Sequence, residues 1–189
     1  MGPRKKKRIV FTGGPSGGKT STIEVLQRHF GAKIAVVPEA ASILYTGGFP
    51  RRPETAQNTQ RAIYYIVREL EDLTERTSDA SVIICDRGTL DGEAYWPSGE
   101  GTLLESVGST PEQEFARYDA VVFMHTPKTL SFYQGSSTRI ESHRQALELD
   151  KKLEKVWKNH PKLYLMDEHS DFIEKMNRSI EILAREAGI

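Results

Sequence analysis

The run Gly13-Gly14-Pro15-Ser16-Gly17-Gly18-Lys19-Thr20 fits the spacing Gly-x-x-x-x-Gly-Lys-Ser/Thr, a pattern whose chemistry is polyphosphate binding. Backbone N–H groups turned inward hold the anionic oxygens, and that geometry needs glycines, which tolerate unusual backbone angles and allow close approach. The positive end of a helix behind the loop adds to the attraction. Lys19 then supplies a compact cation for the terminal phosphates, Thr20 a hydroxyl for Mg²⁺, and Ser21 a donor for the innermost phosphate. The expected ligands are Mg²⁺ and a nucleoside triphosphate, ATP or GTP. The competing reading, a glycine-rich turn capping a helix, leaves the Lys-Thr pair to chance.

Other residues carry chemistry only in company with this loop. Asp86 follows the apolar run Val82-Ile83-Ile84-Cys85, at the strand end where a carboxylate supports Mg²⁺ alongside Thr20; it equally reads as a helix cap. Arg87 beside it would steady phosphate charge or pair within the following helix. Glu39, after a second strand, would orient an acceptor hydroxyl or complement a helix dipole. The polar segment 134–138, with Arg139 and Arg144 beyond it, suits a lid that closes arginines on phosphates. The candidate catalytic set is therefore Lys19, Glu39, Asp86, Arg87, Arg139 and Arg144. Gln57, Arg61, Tyr64 and Arg68 share a helix face that either lines an acceptor pocket or is solvated. Tyr45, Phe49 and Trp96 are candidate stacking groups for a small acceptor, and His125, without companion ligands, reads as structural.

These groups need a scaffold that presents strand ends to one crevice. Apolar runs at 8–12, 33–37, 81–86, 119–125 and 163–166 read as strands, fully apolar in places as in parallel sheets covered on both faces. Between them, helical spacing recurs in Ile23, Leu26 and Phe30, with Gly31 as a stop. It returns from Pro53 to Thr77 with an apolar stripe of Ile63, Ile66, Val67, Leu70 and Leu73. Ala146, Leu149, Leu153 and Val156 mark another helix, and Phe172 or Ile173, Met176, Ile180 and Leu183 a last one. Alternation of this kind implies βαβ units and an α/β three-layer P-loop NTPase fold with a mainly parallel five-stranded sheet. Residues 92–111 read as the one long irregular stretch.

Composition narrows the class further. The 189 residues suit a single domain, residues 1–189, and 28% charged with 38% hydrophobic residues excludes disordered and membrane classes. Lysine plus arginine equals aspartate plus glutamate at 26 each, but five bases form the run 4–8, so the remainder is mildly acidic. That argues against a broad nucleic-acid-binding surface, and residues 1–7 read as a basic N-terminal tail, solvated or targeting. One cysteine, Cys85, builds neither a disulfide framework nor a cysteine zinc site, so the default setting is cytoplasmic. No stretch approaches the length of a membrane span, and no secretory signal is visible. Neither an Asn-Lys-x-Asp guanine-reading motif nor a Leu-Ser-Gly-Gly-Gln signature occurs, which disfavours small GTPases and transporter ATPases. The small-molecule-kinase-like branch of P-loop proteins remains.

Pro38-Glu39-Ala40-Ala41, Gly47-Gly48-Phe49-Pro50-Arg51, Asp86-Arg87-Gly88-Thr89-Leu90-Asp91-Gly92 with Tyr95-Trp96, and Arg139-Ile140-Glu141 together resemble the AAA-type domain of the NadR/TRPL-translocation-defect family. That family groups a nicotinamide-riboside kinase domain with bacterial ATPases and an animal nucleotide-binding protein. The resemblance implies that Lys19 and Thr20 bind nucleotide phosphate and Mg²⁺, that Asp86 supports the metal, and that Glu39, Arg87 and Asp91 face a second substrate. The expected activity is γ-phosphoryl transfer to a small hydroxyl acceptor, possible alternatives being a nucleotide-dependent switch acting through a protein partner or a slow NTP hydrolase.

Overall fold

The computed structural model describes residues 6–128, 142–166 and 172–188. Five strands form the sheet: β1 Lys7–Thr12, β2 Ile34–Val37, β3 Val82–Asp86, β4 Ala120–Met124 and β5 Leu163–Met166. They lie in the order β2-β3-β1-β4-β5, and every pairing is parallel. Parallel neighbours need crossovers that cover the sheet, so the central strands must be apolar on both faces. β4 meets this demand with all five residues buried, and β1 and β3 with four each.

Among the described residues eight α-helices cover the sheet: α1 Lys19–Phe30, α2 Ala40–Thr46, α3 Ala56–Thr77, α4 Asp91–Tyr95, α5 Leu103–Val107, α6 Pro111–Phe115 and α7 His143–Trp157 in the crossovers, and α8 Phe172–Ala187 after β5. Strand alternation divides the core between two layers. Ile9, Phe11, Ile84 and Val122 pack against Ile23 and Leu26 of α1 and Ile182 and Leu183 of α8. Val10, Ile83, Cys85 and Val121 pack on the other face against Tyr64 of α3, Leu103 of α5 and Trp157 of α7. The three-layer α/β arrangement expected from the sequence is the one observed.

Several local expectations are corrected. Residues 92–111 are not one irregular stretch: α4 and α5 occupy part of it, and Leu103 is fully buried. Thr102 and Glu105 form a reciprocal capping box at the start of α5, and Thr110 and Gln113 repeat it at α6. The buried side of α3 runs through Gln60, Tyr64, Val67 and Glu71, whereas Leu73 is half-exposed. Phe172 and Ile173, expected on the apolar side of α8, are exposed.

The basic tail is also corrected where it is described. Lys6 donates to the backbone carbonyls of Glu75 and Ser78, Lys7 pairs with Asp119 at 2.9 Å, and Arg8 pairs with Glu71 at 2.9 Å. Glu71 is fully buried and accepts further hydrogen bonds from Arg117 at 2.6 Å and the Tyr118 hydroxyl at 2.6 Å. Residues 1–5 lie outside the described residues. Removing this shared carboxylate takes from two largely buried guanidinium groups their shortest ion pairs, leaving, among the described residues, Arg8 only Asp72 and Glu75 and Arg117 only Asp72 and Glu114, at 3.3 to 3.8 Å. Glu71→Ala is therefore expected to lower the unfolding free energy by about 3 kcal/mol, measured by chemical denaturation. A loss below about 1 kcal/mol would contradict the network's role.

Candidate functional site

The Gly-Lys-Thr loop occupies the turn between β1 and α1, where the sheet's central strand ends. Its backbone leaves no room for side chains at key points. A Cβ on Gly13 would lie 2.1 Å from the Met124 carbonyl oxygen, and one on Gly17 2.4 Å from the same atom. Gly13 and Gly18 also sit at φ +124° and +87°. Ser16 and Arg87 adopt positive φ without being glycine, at 61° and 82°, and both line the cavity described below.

The loop is held from two sides. On the β4 side, Asp150 of α7 accepts the backbone N–H of Gly14 at 2.8 Å and of Thr126 at 3.0 Å. Its second oxygen lies 2.8 Å from His125 Nδ1, which gives that histidine a structural contact. On the β3 side, Asp91 of α4 accepts hydrogen bonds from the Thr12 hydroxyl at 2.7 Å and from Trp157 Nε1 at 2.6 Å. Arg87 Nη1 lies 3.3 Å from Asp91 and donates to the Gly13 carbonyl at 2.6 Å.

Lys19 Nζ donates to the carbonyls of Gly13 at 3.0 Å and Gly14 at 2.7 Å. Burial and the neighbouring Arg87 push its pKa down to about 7, with Asp86, Asp91 and Glu39 opposing them. Burial raises the Asp86 carboxyl above its ordinary range, against the pull of Arg87. For Glu39, burial also favours the neutral form. The Arg87 charge, whose Nε is 3.5 Å away, and a 2.5 Å hydrogen bond from Ser42 outweigh it, so the Glu39 pKa is lowered.

These groups border a cavity of about 770 Å³. The loop segment 15–21 forms one wall, including the candidate residues Pro15, Ser16, Gly17, Gly18, Lys19, Thr20 and Ser21. Glu39, Asp86, Arg87 and Asp91 line it as well, while Gly13 and Gly14 support it from behind through the Lys19 and Arg87 bonds. The Thr20 hydroxyl stands 3.5 Å from Asp86 Oδ2. Two hard oxygen donors beside a phosphate loop fit Mg²⁺, which takes few protein ligands and keeps its waters.

Other candidates fall elsewhere. Arg144 projects into solvent, 89% exposed, and pairs with Glu148 at 3.1 Å. Arg139 and the segment 134–138 lie outside the described residues. Of the stacking candidates, Tyr45 lines the cavity and Phe49 and Trp96 do not; Tyr95 takes a place there instead. On α3 the lining residues are Gln60, Ile63 and Val67, not Gln57, Arg61, Tyr64 and Arg68. Gln60 is only 7% exposed. Sequence reasoning missed Gln60 and Asp150; each sits one helical turn or less from apolar residues that it did use, with nothing in the sequence to set it apart.

The architecture and the loop define a P-loop protein with a kinase-like fold. An AAA domain family profile matches residues 8–175, and the chain belongs to that family. No curated protein matches the sequence. Among solved structures, deoxyadenosine kinase from M. mycoides with bound dATP superposes with a TM-score of 0.65 at 13% identity, covering 94% of this chain and 98% of that one. NadR protein in complex with NR gives a TM-score of 0.73 at 16% identity, and in complex with NAD and AMP-PNP 0.71 at 13%. Both NadR comparisons cover 98% of this chain, which spans about half the NadR length. Among the described residues, no helix is long and apolar enough to cross a membrane.

The close approach at Gly17 yields a test. Gly17→Ala forces its methyl against the Met124 carbonyl and is expected to weaken tripolyphosphate binding about tenfold or more by calorimetry. Equal affinity in the Gly17 variant would show that the loop does not hold phosphate.

Proposed function

We propose that the chain binds a nucleoside triphosphate, ATP or GTP, at the P-loop and transfers its γ-phosphoryl group to a small hydroxyl acceptor in the same cavity. The observation that carries this reading is the continuity of the space. One cavity joins the loop 15–21 to Glu39, Tyr45, Gln60 and Val67, and its volume suits a ligand beyond the phosphates. The likeness of the fold to that of deoxyadenosine kinase supports the same reading.

Thr20 and Asp86 would hold Mg²⁺, which supplies charge neutralisation across the phosphate oxygens when bound. Lys19 would leave the Gly13 and Gly14 carbonyls for the terminal phosphates, whose charge favours its ammonium form. Arg87, fixed by Asp91 and Gly13, offers its guanidinium to the transferring group. Glu39 stays ionised at neutral pH because its pKa is lowered, and accepts a hydrogen bond from the acceptor hydroxyl. Little base strength is needed, since phosphoryl transfer has a loose transition state in which positioning dominates. The Gln60 carboxamide, in the cavity lining, would pair with a polar edge of the acceptor, with Ile63, Val67 and Tyr45 around its apolar body. A cytoplasmic setting, where triphosphates are abundant, follows from this reading.

Lys19→Ala should abolish tight nucleotide binding. Glu39→Gln should keep nucleotide affinity but lower acceptor-dependent turnover by roughly 10²-fold or more. Full turnover in the Glu39 variant would return that residue to a helix-capping role, and unchanged affinity in the Lys19 variant would overturn the phosphate site.

A further inference from the structure

We propose that Phe172 is the platform on which the base of the P-loop nucleotide stacks; the proposal rests on the nucleotide reading above. In phosphoryl transfer the attacking and leaving oxygens lie roughly in line, so acceptor and nucleoside diphosphate occupy opposite sides of the γ-phosphoryl group. The sheet order places β3 and β2, with Asp86 and Glu39 at their ends, on one side of the P-loop and β4, β5 and α8 on the other. Beyond the loop and the start of α1, the cavity is lined only from the segments that follow β2 and β3, through α2, α3 and α4, and from nothing that follows β4 or β5 among the described residues. The nucleoside end of the donor must therefore leave on the β4–β5 side, over the start of α1, where Thr20 and Ser21 are exposed.

Phe172 stands there. Its ring atoms lie 3.4 and 3.5 Å from the point that a Cβ on Gly18 would occupy, so the ring rests on the bare backbone of the last P-loop glycine. The side chain is nonetheless 44% exposed and belongs to none of the core clusters, although it opens a helix whose later residues are core. A large ring held against the phosphate loop and left 44% exposed offers a base a surface to stack on, because every base presents a π-face. Stacking of this kind ignores base edges, so Phe172 would serve ATP and GTP alike.

The test titrates the full chain with Mg-ATP, Mg-GTP and Mg-tripolyphosphate, comparing the native protein with Phe172→Ala and Phe172→Trp. Phe172→Ala should weaken both nucleotides about tenfold or more while leaving tripolyphosphate unchanged, and Phe172→Trp should restore nucleotide affinity. Unchanged nucleotide affinity in Phe172→Ala, or an equal loss for tripolyphosphate, overturns the proposal. So does a native protein that binds tripolyphosphate as tightly as ATP. Native protein that binds none of the three overturns the nucleotide reading itself, a distinguishable failure.

Discussion

One buried carboxylate fixes the relation between the phosphate loop and everything that faces it. Asp91 is 5% exposed and draws together the last residue of β1, the indole of α7 and the guanidinium of Arg87. A buried charge is tolerable only with such partners, so the three elements are held in one geometry. Arg87 in turn reaches the Gly13 carbonyl and Glu39. The resemblance to known relatives implied that Asp91 faces a second substrate; it lines the cavity, but its oxygens are committed to the protein. Its part is to hold Arg87 and the loop in register.

The cavity's charge arrangement follows from that constraint. Lys19 and Arg87 converge on the carbonyls of Gly13 and Gly14, and three carboxylates, Glu39, Asp86 and Asp91, surround them. Burial and, after it, the neighbouring Arg87 charge bring Lys19 down to about 7, while Asp91, Glu39 and Asp86 hold Arg87 charged. On the proposed function, an arriving polyphosphate would relieve this repulsion and supply an anionic partner in place of the carbonyls. Positive charge at the cavity is thus local to Lys19 and Arg87, in a chain with no net charge.

The fold was legible in the sequence because parallel strands buried on both faces are apolar throughout, and because Gly31 and Pro53 mark where elements stop and start. The phosphate loop was legible because its spacing encodes its own geometry. Helix α2 was not, since its seven residues carry no periodic apolar stripe and Ile43 is half-exposed. Residues 92–111 misled through glycine and proline, although the capping boxes at Thr102 and Thr110 were there to be seen. Asp150 and Gln60 escaped notice because a polar residue in a helix is usually solvated; only tertiary packing turns one towards the loop and the other towards the cavity. Arg144 shows the reverse: an arginine beside a lid-like segment belongs to an exposed i,i+4 pair.

The most direct measurement is Mg²⁺-dependent formation of ADP or GDP by the purified chain, alone and with pooled nucleosides, cofactor precursors and sugars, with products followed by mass spectrometry. Phosphoryl transfer predicts a slow background that one pool stimulates, with a phosphorylated member of that pool in the spectrum. Tight nucleotide binding with equally slow turnover against every pool would contradict it, and would describe a nucleotide switch acting through a protein partner.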